Sequence, residues 1–224
     1  MTVPAGGSPA RRLPGVLVGA GVAAAGVALL LLLGLIVDAT PFAWDRAIII
    51  GLRQWRGPAW LPDAAVNITA VGSPTVLAIV VVGAAALLLA ERLWLTALAT
   101  VCACASGGWV VELLKNEVAR PRPTLVPHLV EVRNLSFPSG HAAGSATVYL
   151  TVAALATQVI ERPAARRVAL VLAILLVGAI GISRVYLGVH WPSDVMAGWS
   201  FGTLWALGWW LATASARASV GGER

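Results

Sequence analysis

The chain has 224 residues, 58% of them hydrophobic and only 12% charged, with a mean hydropathy of +0.84. That composition excludes a water-soluble domain and places the chain in a bilayer. The net charge of +6 is spread over short segments without a basic face or long basic tail, so it fits lipid headgroups, topology signals and an anionic substrate, and excludes a nucleic-acid partner.

At roughly 20 apolar residues per membrane helix, the chain has room for five to six spans and little else. Residues 1–12 read as a disordered cytoplasmic tail ending in Arg11-Arg12. The apolar run from about Val16 to Val37 is longer than a signal-peptide core and lacks a small-x-small cleavage site. It reads as an uncleaved first span. Asp38 to Gly72 is a connector in which Phe42, Trp44, Ile48, Ile49, Leu52 and Trp55 recur at helical spacing, with Asp45, Arg46, Arg53 and Arg56 between them. This predicts an interfacial amphipathic helix with tryptophans at headgroup level, broken by Pro58 and Pro62.

Ser73-Pro74 supplies a cap and first position for span two, about Pro74 to Ala90, which is short enough to need residues upstream. After the Glu91-Arg92 turn, span three covers about Leu93 to Leu114. Its Cys102 and Cys104 have no further cysteine or nearby histidine to complete a metal set, and read as small helix residues. Residues 115–140 form the largest polar loop. Span four is about His141 to Val159, span five about Val168 to Tyr186 and span six about Val195 to Ala212. The fold class is therefore all-α: a polytopic membrane bundle of six spans over residues 13–214, with a short cytoplasmic tail at 215–224.

Six spans put both termini on one side. That side carries Arg11, Arg12, Arg92, Arg162, Arg166, Arg167, Arg217 and Arg224 in short segments, which makes it the cytoplasm. The polar loop, the start of span four and the turn between spans five and six then meet on the extracytoplasmic face of the cell membrane.

That convergence gathers Lys115, Arg120, Arg122, His141, Arg184, His190 and Asp194. Single basic residues at span ends often only reach for headgroups. Two histidines, an aspartate and several cations at one face indicate function. Lys115, Arg122 and Arg184 suit phosphate neutralisation. Ser139 and Gly140 open an apolar helix in Pro138-Ser139-Gly140-His141, where free N–H groups favour an anion. Asp194, four residues after His190, can orient that imidazole and stabilise its cation, which makes His190 the nucleophile candidate. His141 has no carboxylate beside it in sequence and suits general acid. The chemistry is phosphoryl transfer to His190. It calls for no metal or other cofactor, because the cations neutralise charge as magnesium does elsewhere.

Lys115-x6-Arg122-Pro123, Pro138-Ser139-Gly140-His141 and Ser183-Arg184-x5-His190-x3-Asp194 resemble the three-part signature of the type 2 phosphatidic acid phosphatase family. These membrane lipid phosphatases share their site with vanadium haloperoxidases. The motif core spans residues 115–194. The resemblance implies a metal-independent phosphatase with His190 as nucleophile, Asp194 as its partner and His141 as acid. It places Lys115, Arg122, Ser139, Gly140 and Arg184 around the phosphate. Arg120 lies just outside the strict motif as an auxiliary cation, and His128 matches nothing and reads as an ordinary loop histidine.

An interfacial site suits a lipid phosphate substrate in contact with membrane lipids. Undecaprenyl diphosphate is favoured, with phosphatidylglycerol phosphate and phosphatidic acid close behind. A lipid phosphotransferase would differ only in the acceptor. An anion transporter would need charges along the depth of several spans, whereas here only Glu112 interrupts the apolar runs away from their ends. The orientation is testable: a cysteine placed beside His128 reacts with an impermeant thiol reagent from outside intact cells, and labelling only after lysis reverses the topology.

Overall fold

The computed structural model describes residues 15–37, 41–55, 57–132 and 134–219. The tail expected over residues 1–12 lies outside them. Among the described residues all regular structure is helical: α1 (Gly15–Val37), α2 (Ala43–Trp55), α3 (Leu61–Val71), α4 (Pro74–Ala90), α5 (Trp94–Val118), α6 (Gly140–Ser145), a π-helical turn (Ala146–Leu150), α7 (Thr151–Ala156), α8 (Pro163–Tyr186) and α9 (Pro192–Ser219).

α1, α5 and α8 are each long and apolar enough to cross a membrane, and α3 with α4, bent by 48°, form a fourth candidate if counted as one. Counted so, the pair would supply the upstream residues that the short span two was expected to need. Ser73 caps α4, its hydroxyl accepting from Val76 N at 3.5 Å, with Pro74 in the first turn. The other two expected spans take different forms. Span four is divided into α6, the π turn and α7. Span six is α9, which has ample length at 28 residues but is less apolar. It runs on to Ser219, so residues 215–219, expected as tail, are helix.

α2 forms where the connector predicted an amphipathic helix, with Trp44, Ile48 and Trp55 exposed. Its charges do not all face outward. Asp45 is fully buried beside the α9 N-terminus.

The core lies where α1, α5, α6 and α9 meet, and includes Leu30, Val111, Leu114, Phe137, Ala197 and Phe201. Phe137 is 0% exposed, so the loop entering α6 is anchored by an apolar side chain. α9 and the α6 segment touch backbone to backbone. A Cβ on Gly202 would lie 2.7 Å from Thr147 N and 2.9 Å from Ala143 O, and one on Gly198 would lie 2.9 Å from Ala143 N. Small residues at these two positions bring the Pro-Ser-Gly-His segment against the first turns of α9.

Gly202→Ala should destabilise the fold by about 1–3 kcal/mol, because backbone cannot move aside as a flexible side chain can. Gly83→Ala, at a glycine with open space around it, should be silent. Thermal melts of the detergent-solubilised protein check both, and a neutral Gly202→Ala would refute the close approach.

Candidate active site

Three chain segments build the site at one end of the bundle. α5 stops at a left-handed residue, Ala119 (φ +50), whose N–H returns to Lys115 O at 3.2 Å. The chain then leaves the helix and crosses the face as the loop to Ser139. That loop is tied down by Ser136 N donating to Arg120 O at 2.9 Å and Leu129 N to Leu187 O at 3.1 Å. Ser139 N donates to Asp194 O at 3.2 Å, which fixes the start of α6 to the first turn of α9. His190 lies in the short turn between α8 and α9, where Gly188 takes a positive φ of +76.

A cleft of about 890 Å³ opens among these segments, and Lys115, Arg122, Gly140, His141, Arg184 and His190 all line its polar end. Two expected residues stand behind the wall. Asp194 is 0% exposed and approaches His190 Nδ1 with Oδ2 at 3.5 Å. Ser139 is the N-terminal cap position of α6, and its Oγ is buried without a partner among the described residues.

The cations differ in how they are held. Arg122 donates through Nε to Asn134 O (2.6 Å), through Nη2 to Asn134 Oδ1 (2.5 Å) and Leu135 O (3.3 Å), and through Nη1 to Val189 O (2.6 Å). Nη1 also lies 3.0 Å from His190 Nε2. Guanidinium can only donate, so this contact makes Nε2 the acceptor and puts the ring hydrogen on Nδ1, toward Asp194. Arg184 Nη1 donates to Thr69 Oγ1 at 3.0 Å, while its Nε is buried without a partner among the described residues. Lys115 is only 4% exposed, and a Cβ on Gly140 would sit 3.3 Å from its Nζ, so the glycine keeps space open before the ammonium. The His141 ring has no hydrogen-bonded partner among the described residues and is free to serve a ligand in the cleft. Unlike Lys115 and Arg184, His190 stands in a loop. Burial, then the charges of Arg122, Arg184 and Lys115, hold its ring neutral well below the ordinary imidazole value of 6.5.

Arg120 corrects an expectation. It does not reach the cleft, being only 1% exposed. Its Nη1 binds Asp194 Oδ1 (2.5 Å) and Ser193 Oγ (2.8 Å), its Nη2 binds Asp45 Oδ2 (3.2 Å), and the guanidinium lies over Trp191 at 5.5 Å. A buried arginine shared between two carboxylates is taken up by them and is not available to a phosphate. His128 bonds Pro123 O at 2.7 Å through Nε2 and braces its own loop.

Sequence reasoning missed Asp45, Ser136, Asn134 and Thr69. Ser136 Oγ donates to Asp194 Oδ2 at 2.5 Å and lies 3.4 Å from His190 Nδ1. It stands two residues before the Pro138-Ser139-Gly140-His141 motif, and that proximity was its one signal. Asn134 and Thr69 carry no motif; they matter because they hold Arg122 and Arg184. Among the described residues no three His, Cys, Asp or Glu side chains come together as a metal site.

The PAP2 superfamily model matches residues 96–217 of this chain. Phosphatidylglycerophosphatase B of Bacillus subtilis (strain 168) is 31% identical over 162 residues, covering 71% of this chain and 78% of the relative. Decaprenylphosphoryl-5-phosphoribose phosphatase of Mycobacterium tuberculosis (strain ATCC 25618 / H37Rv) is 36% identical over 133 residues, covering 56% of this chain and 64% of the relative. The crystal structure of a transmembrane PAP2 type phosphatidylglycerolphosphate phosphatase from Bacillus subtilis superposes with a TM-score of 0.74 at 26% identity, covering 90% of this chain and 98% of that one.

The electrostatics give a direct test. With only three histidines in the chain, an NMR titration with His190→Ala for assignment should show the His190 ring unprotonated as pH falls past 6.5. A His190 resonance titrating at or above 6.5 would mean that Asp194 outweighs burial and the cleft cations.

Proposed function

Because the chain belongs to the PAP2 superfamily, we propose that it is an integral membrane phosphatase that removes phosphate from a lipid through a phosphohistidine on His190. The observation that carries this is a single cleft with two ends. At one end Lys115, Arg122 and Arg184 surround His190. Beyond them, Val101, Cys104, Ala105, Gly108 and Val111 form one stripe of α5, facing Leu77 and Val81 of α4. From Val101 to Lys115 the stripe is about 21 Å long at roughly 1.5 Å per residue, enough for much of an acyl or prenyl chain. A headgroup phosphate enters the cationic end while its tail stays in the apolar groove.

Arg184 Nε, buried at this end without a partner among the described residues, is a donor for which a phosphate supplies an acceptor. His190 Nε2 attacks phosphorus while Lys115, Arg122 and Arg184 neutralise the equatorial oxygens. His141 gives its proton to the leaving oxygen as the P–O bond breaks. Asp194 stabilises the positive charge on the His190 ring. Water then attacks phosphorus, giving its proton to His141, as the N–P bond to His190 breaks and inorganic phosphate leaves. The three cations provide the charge neutralisation, so no step calls on a metal.

Six crossings with cytoplasmic termini put the cleft at the extracytoplasmic interface of the cell membrane. For the substrate, the relatives named above support a phosphomonoester carried on a lipid, such as phosphatidylglycerol phosphate, ahead of the polyprenyl diphosphate favoured by sequence.

His190→Ala should lower phosphate release by about a thousandfold or more, and retained activity would remove His190 as nucleophile. A panel of phosphatidylglycerol phosphate, phosphatidic acid and undecaprenyl diphosphate ranks the lipids. Chelation of divalent metals should leave turnover intact; loss restored by magnesium would overturn the metal-free chemistry.

A further inference from the structure

We propose that Asp45 is a positioning residue for the His190 nucleophile, acting through Arg120 and Asp194. Asp45 lies far outside residues 96–217, the stretch matched by the family model, on a helix whose sequence reads as interfacial. Yet it is fully buried against the active-site wall. The inference rests on the assignment of His190 as nucleophile.

Its contacts divide into two sets. Oδ1 accepts from Ser193 N at 2.9 Å and Oδ2 from Ser193 Oγ at 2.6 Å, which fixes the first turn of α9 from outside the helix. A carboxylate there also satisfies a free N–H of the helix start and matches its dipole. Oδ2 further pairs with Arg120 Nη2 at 3.2 Å, and Arg120 Nη1 pairs with Asp194 Oδ1 at 2.5 Å. Asp194 turns its other oxygen toward His190. The result is one line, Asp45–Arg120–Asp194–His190.

The charge count along that line is the point. Arg120 stands between two carboxylates, so it does not absorb the whole charge of Asp194. Without Asp45, Asp194 would be the one carboxylate facing a buried guanidinium and would be drawn from His190 toward it. Lys115, Arg122, Arg184 and His141 face His190 from the cleft and all oppose a positive ring. Asp194, supported by Asp45, is the opposing charge.

The test uses the full-length protein in detergent, with phosphatidic acid in mixed micelles. Asp45→Asn keeps the shape and removes the charge. Turnover should fall by about 10- to 100-fold with KM little changed, as for other residues that hold a catalytic group. The acid limb of kcat/KM should move to lower pH, since removing a negative charge makes protonation of His190 harder. Asp45→Glu keeps the charge and lengthens the arm: turnover should drop while the acid limb stays in place. Wild-type turnover in Asp45→Asn overturns the proposal. So does lost turnover with an unmoved acid limb, which is what a merely structural role gives. If Asp45→Asn does not fold, Asp45→Glu carries the test, and wild-type turnover there overturns it. An active His190→Ala sinks the nucleophile assignment instead, whatever the Asp45 variants do.

Discussion

A carboxylate sealed from solvent is costly unless it is fully paired, and Asp194 is 0% exposed. Its network draws on three parts of the chain: Arg120 and Ser136 from the loop after α5, the Trp191 N–H and His190 from the turn before α9, and, behind Arg120, Asp45 from α2. None of these segments can shift without leaving a buried charge unmatched, at a cost of about 3–5 kcal/mol for the loss of a partner. The same requirement that stabilises this end of the bundle fixes His190 at the edge of the cleft.

Packing lower in the bundle makes that convergence reachable. Gly198 and Gly202 let α9 touch the backbone of α6 and the π turn, where any side chain would separate them. In a membrane interior, where lipid is as apolar as the helix surface, close backbone approach replaces hydrophobic burial as the means of association. Phe137 enters the same core from the loop, so the stretch carrying Ser139 and Gly140 is held by apolar packing on one side and by the Asp194 O hydrogen bond on the other.

Much of the site was legible because helix ends brought its residues to one face. Lys115, Arg122, Gly140, His141, Arg184 and His190 all follow from motif spacing and a shared end of the bundle. Span two was legible as short, and α3 is bent onto α4 by 48° directly upstream of it. Arg120 was misread because sequence gives its charge and not its direction. Two residues from Arg122, it points into the wall and not into the cleft. Asp45 had no signal beyond one acid among basic residues, and its partner Ser193 is 148 positions away.

Sequence alone determined the solvent, the helical class and the inventory of reactive groups, because apolar run length and motif spacing are local properties of a chain in a bilayer. Only the tertiary structure decided which charges face a ligand and which face each other. Both kinds look alike in sequence. They differ in whether a buried partner stands within hydrogen-bond reach, and that depends on segments the chain brings together only when folded.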